Sequence, residues 1–98
     1  MDTASVIERL RGSERALRSA GVVHLRLFGS IARGENSANS DVDLMADLDP
    51  AQKRTLLTIT RLQNMLSDLL GAPVDLSIAA NMRESVRKRA QREAILAF

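Results

Sequence analysis

Two short runs of alternating character, 41–48 and 74–78, are separated by a single amphipathic stretch, and no other feature constrains the chain as strongly. Within that stretch Ile59, Leu62, Met65, Leu66, Leu69 and Leu70 recur at i, i+3 and i+4, the spacing of one helix face. Asp49-Pro50 predicts the helix start, because Asp can cap and Pro fits the first helical position. Gly71 predicts its end. Two strands joined by a full helix pair in parallel through a right-handed crossover, so 41–48 and 74–78 should lie side by side. In the first, Val42 and Leu44 alternate with Asp41, Asp43 and Met45; in the second, Val74, Leu76 and Ile78 alternate with Asp75 and Ser77.

The remaining elements follow from weaker signals. A first helical region over 4–20, bent or broken near Gly12, begins at the capping-box pattern Ser5-Val6-Ile7-Glu8 and stops at Gly21. Val22–Phe28 predicts a strand with Val23, Leu25 and Leu27 on one face and Val22, His24, Arg26 and Phe28 on the other. A short helix, Ile31–Arg33, is closed by Gly34, and the polar stretch Glu35–Ser40 predicts a loop. A basic helix over 83–92 precedes an apolar tail, Ala94–Phe98. The basic helix is most simply a solvated face, with a partner surface as the sharper reading, and the tail either joins that surface or packs on the core. The order α-β-α-β-α-β-α indicates a small α/β domain, and 98 residues support one domain over 1–98.

Composition removes several functions. Without cysteine there is no disulfide framework, thiolate metal site or Cys nucleophile, and one histidine, His24, cannot build a multi-His zinc site. His24 reads as structural rather than catalytic. Two aromatics, Phe28 and Phe98, exclude a base-stacking platform, and a net charge of +2 gives no case for direct nucleic-acid binding. No apolar run approaches the ~18 residues of a membrane span, so no membrane partner is expected and the expected location is cytoplasmic.

The stretch with chemical content is Phe28-Gly29-Ser30-Ile31-Ala32-Arg33-Gly34-Glu35, followed by Ser40-Asp41-Val42-Asp43-Leu44. Gly29-Ser30 falls where a strand enters a helix. Free amides there favour a phosphate, and glycine lets it approach the backbone. Asp41 and Asp43 leave the same strand face, and two carboxylates so placed repel unless a cation sits between them. Oxygen-only ligation points to a hard cation, Mg²⁺ or Mn²⁺. Asp75 completes the set if its strand lies beside the second in the right register. Carboxylates around hard cations beside a triphosphate cradle suit in-line transfer of a nucleotidyl group. Arg33 is a further candidate phosphate contact; its bland role is a solvated helix-end cap. Gly-Ser and Asp-x-Asp are each commonplace, but at this spacing they co-occur by chance in about one chain per thousand of this length.

Gly29-Ser30, a ten-residue gap and Asp41-x-Asp43 resemble the signature of the DNA polymerase β superfamily of nucleotidyltransferases. The longer strings, with Leu69-Leu70-Gly71-Ala72-Pro73-Val74-Asp75-Leu76, resemble its bacterial minimal branch. The resemblance implies a palm-like mixed sheet of about three strands flanked by helices, an α/β (α+β) class. It implies Asp41, Asp43 and Asp75 as catalytic metal ligands, with Gly29 and Ser30 at the nucleotide phosphates; Arg33 joins the nucleotide-binding set only as the residue-based candidate above. Small members of this branch pair with HEPN-type toxins as antitoxins, by transferring AMP from ATP to a toxin tyrosine, by binding, or both. The expected function is therefore a Mg²⁺-dependent antitoxin nucleotidyltransferase in a hetero-oligomer. A binding-only antitoxin and a small-molecule nucleotidyltransferase are the alternatives; the second is disfavoured because so short a chain leaves nothing to hold the acceptor.

Overall fold

The structure, a computed structural model, describes residues 2–35, 41–52 and 55–98. Its elements run α1 (Thr3–Gly12), α2 (Glu14–Ser19), β1 (Val22–Phe28), α3 (Gly29–Ala32), β2 (Val42–Leu48), α4 (Leu56–Leu70), β3 (Val74–Ile78), α5 (Glu84–Glu93) and β4 (Ile95–Leu96). The sheet order is β3-β2-β1-β4. β2 and β3 are parallel, as the crossover requires, while β1 is antiparallel to both β2 and β4. The sheet is thus mixed, and among the described residues it holds four strands rather than about three. The fourth comes from the apolar tail: β4 pairs with β1, and Ala97 and Phe98 are buried, with the Arg18 guanidinium 5.0 Å from the centre of the Phe98 ring.

The first face of the sheet carries the main core. Leu25, Leu27, Val42, Leu44, Ala46, Leu76 and Ile78 meet Val6 and Leu10 of α1, Leu17 of α2, and Leu62, Leu66 and Leu70 of α4 in one continuous cluster. Burying each such leucine contributes roughly 1.5–3 kcal/mol, so this layer dominates stability. The second face is covered only in part, by α5: Ala90 packs with Met45 and Ala79, and Phe28 and Met82 lean against them.

Three local expectations are corrected. The cap of α1 is Asp2, whose side chain accepts from the Ser5 amide at 2.8 Å, so Ser5 lies inside the helix rather than at its start. α4 begins at Leu56 behind Thr55, whose hydroxyl accepts from Thr58 N–H. Asp49 instead caps a tight turn, its Oδ1 accepting from the Ala51 amide at 2.9 Å; 53–54 lie outside the described residues. In β1 the register slips between Val22 and His24. That bulge turns Val22 into the core and Val23 outward, reversing the simple alternation at the strand's start.

Both sheet edges are met by side chains. At β3 the outward N–H groups of Val74 and Leu76 donate to Ser67 Oγ and Gln63 Oε1 of α4, each at 3.2 Å. At β4 the Arg11 guanidinium of α1 donates to the carbonyls of Leu96 and Ala97, at 3.3 and 2.8 Å.

Candidate functional site

The second face of the sheet receives every other residue of β2 and β3, and the acids fall there. Asp43 pairs in register with Asp75, so their Cα atoms are direct neighbours across the parallel strands, which lie ~4.8 Å apart. Asp41 directly precedes β2 with the same parity and is exposed. Partial burial raises the Asp43 carboxyl above its ordinary value; the charges of Asp75 and then Asp41 raise it further, and Arg33 opposes them. Asp43 therefore feels three neighbouring charges, two of them repulsive and one attractive.

On the other side of Asp43 lies β1, whose last residue, Phe28, is its register partner. The chain leaves β1 through Gly29 at φ +76°. A Cβ there would stand 2.9 Å from Asp43 Cγ and 3.1 Å from its Cβ, overlapping the carboxylate. Only glycine lets the Gly29–Ser30 backbone lie against Asp43, which is a packing reason for the Gly-Ser motif as well as a conformational one. α3 is a single turn, closed by Glu35 N–H donating to the Ser30 carbonyl at 2.8 Å and pinned to α1 by Thr3 Oγ1 on the Ile31 carbonyl. The loop expected over 35–40 lies, beyond Glu35, outside the described residues.

Arg33 follows α3. Its guanidinium pairs with Glu35 at 3.0 Å and with Glu93 of α5 at 3.1 Å. The Glu35 bond and the neighbouring charges raise the Arg33 pKa, so the charge is permanent. The pairing places Arg33 at the rim of a cleft of about 310 Å³ between α3 and α5. Phe28, Gly29, Val86, Arg89, Ala90 and Glu93 line it with Arg33.

Gly29, Asp43 and Asp75 are thus brought together, Asp41 and Arg33 act on Asp43 through charge, and Ser30 enters through its backbone. Among the described residues no three His, Cys, Asp or Glu side chains close into an ion-holding group. The donor chemistry nevertheless fits a hard divalent cation: neighbouring carboxylates, one with its charge disfavoured, and no competing soft ligand. Sequence reading missed the cleft. Its signal was the spacing of Val86, Arg89, Ala90 and Glu93 at i, i+3, i+4 and i+7, one face of α5 that is not simply solvated. His24 is exposed, on the open part of the sheet.

The nucleotidyltransferase domain family model matches residues 7–97. The protein adenylyltransferase MntA of Thermococcus cleftensis is 35% identical over 75 residues, 76% of this chain and 74% of that protein. A solved structure assigned as a minimal nucleotidyltransferase superposes with a TM-score of 0.82 at 36% identity, covering 97% of this chain and 95% of the other. The fold also matches a chain in the solved complex of a tri-AMPylated HEPN toxin from Shewanella oneidensis with an MNT antitoxin, with a TM-score of 0.68 at 16% identity over 92% of this chain and 69% of that one.

Proposed function

The chain belongs to the nucleotidyltransferase domain family, a minimal nucleotidyltransferase, and on that premise we propose that it uses Mg²⁺ or Mn²⁺ to transfer AMP from ATP to a tyrosine of a HEPN-type toxin, acting as the antitoxin. The observation that carries this reading is the in-register pair Asp43–Asp75, with the Asp43 side chain pressed against Gly29. A mere binding module gains nothing from clustering acids that repel. In this reading Asp41, Asp43 and Asp75 would hold the cation, which when bound would lower the pKa of the attacking hydroxyl and neutralise charge on the α-phosphate and the leaving group. Gly29 and Ser30 present backbone amides to the phosphates, and Arg33 adds positive charge from the rim.

The reaction forms a bond between the tyrosine oxygen and the α-phosphorus. The bond from that phosphorus to the β-bridging oxygen breaks, pyrophosphate leaves with the electron pair, and the hydroxyl proton passes to solvent. The acceptor must come from another chain, because this one has no tyrosine. Positioning the hydroxyl in line is then the partner's contribution, and it is worth several kcal/mol of barrier, up to roughly 7–11 kcal/mol in ideal cases. The relative that carries the adenylyltransferase name and the AMPylated-toxin complex support the choice of AMP and of a HEPN partner.

The test is incubation with α-labelled ATP and a divalent cation, with and without the HEPN partner. Label should appear on a partner tyrosine and vanish with chelator. Strong labelling of this chain alone would favour an unassisted enzyme. Inhibition of the toxin with no label on any partner would favour neutralisation by binding only.

A further inference from the structure

The α3–α5 cleft holds a cation that the motif does not account for. Glu35 and Glu93 both point their carboxylates at Arg33, whereas Arg89 has no carboxylate partner among the described residues. Arg89 flanks the same cleft as Gly29, and Gly29 is the residue in contact with the Asp43 side chain. The cleft therefore shares Gly29 with the Asp43 side chain, while neither Asp43 nor Asp75 lines it. Phe28, Val86 and Ala90 add apolar lining beside these charges. A planar guanidinium with no carboxylate of its own is matched to phosphate oxygens.

Resting on the nucleotidyltransferase reading, we propose that Arg89 binds the β- and γ-phosphates of the nucleoside triphosphate, the part that departs as pyrophosphate. The ligand lies along Gly29, with its α-phosphate toward Asp43 and Asp75 and its far end in the α3–α5 cleft. Arg89 is thus a selector for triphosphate over monophosphate, a role distinct from that of Arg33, whose charge is already shared by two glutamates.

The experiment measures binding of ATP and AMP, each with Mg²⁺, by calorimetry to the wild type, Arg89→Ala, Arg89→Lys and Lys88→Ala. Lys88 is the charge control, since it is exposed on the same helix and pairs with Glu84. Arg89→Ala should weaken ATP by about tenfold or more, the range expected for lost charge-assisted bonds, while AMP affinity changes less than threefold or so. Arg89→Lys should recover part of the loss, and Lys88→Ala should move ATP by no more than about twofold. Equal weakening of ATP and AMP, or an Arg89→Ala effect no larger than that of Lys88→Ala, would overturn the assignment and leave the enzyme reading intact. Failure of the wild type to bind ATP at all would overturn both. Melting curves of Arg89→Ala that match the wild type show that a binding loss is not unfolding.

Discussion

The two faces of the sheet are built from alternate residues of the same strands and follow opposite rules. One face places Leu25, Leu27, Val42, Leu44 and Leu76 under three helices, with their side chains almost wholly out of water. The other places Asp43 beside Asp75 and leaves Asp43 with a carboxyl whose ionisation its surroundings resist. The first face supplies the favourable free energy; the second holds the groups that cost some of it. Because the two share a backbone, the stiffness of the first fixes the spacing on the second. β2 cannot slip by one residue without turning Asp43 and Asp47 into the core where Val42, Leu44 and Ala46 pack.

That division predicts that stability and chemistry come apart under mutation. The largest effect expected is on transfer: Asp43→Asn should lower it by about 10³-fold or more, several kcal/mol of transition-state stabilisation, with no loss of fold. A variant that unfolds, or one that keeps full transfer to the partner, would break the comparison. On the apolar face, Leu66→Ala should remove roughly 2–5 kcal/mol of stability by opening a cavity. Its transfer rate per folded molecule should stay near wild type, read from denaturant melts alongside label incorporation.

Gly29 joins the two faces, so Gly29→Ala should fail on both counts. A left-handed non-glycine residue costs about 1–3 kcal/mol, and its methyl would displace the Asp43 carboxylate. Both the melting temperature and the transfer rate should fall, whereas each of the previous variants moves only one of them.

The pH dependence is a smaller effect. Asp43 has a folded pKa raised above its ordinary 3.8, so the folded state holds this proton more tightly than the unfolded chain. Stability from this group is present at acid pH and is lost as pH rises from about the ordinary carboxylate value through the raised one. Without divalent cation, wild type should therefore lose more melting temperature than Asp43→Asn across that mildly acidic window. The smallest effect is expected at Arg26, which bonds Asp47 at 2.8 Å on the open part of the second face. Arg26→Ala should cost under about 1 kcal/mol, as half-exposed ion pairs do.

Much of this was legible in the sequence because period-2 and period-3.6 patterns are backbone geometry written in side chains. The stripe from Ile59 to Leu70 and the alternation through Val42–Leu44 and Val74–Ile78 led to the parallel pair, and through it to the meeting of Asp43 and Asp75. What failed was local. Ser5 has Glu8 at the capping-box spacing, but Asp2, three residues ahead, starts the helix by accepting from the Ser5 amide itself. Asp49 spends its carboxylate on a turn, leaving Thr55 to start α4. The two residues of β4 carry no periodicity, and their pairing is set by burial of Phe98 rather than by propensity. The α3–α5 cleft is a tertiary product: no local pattern shows that Glu93 will reach Arg33 across sixty residues.

The edges of the sheet bear on how a second protein can approach. A parallel edge strand such as β3 would ordinarily accept a visiting strand, which reads the outward amides as a template. Here Ser67 and Gln63 already occupy those amides at Val74 and Leu76, and Arg11 holds the carbonyl of Leu96 on the opposite edge. A guest strand would have to displace neutral hydrogen bonds on one side and a charge-assisted one on the other before forming its own. Strand addition is thereby disfavoured at both ends, which guards a small, half-open sheet against polymerising with its own copies. Recognition is left to side chains on the helices and the open face.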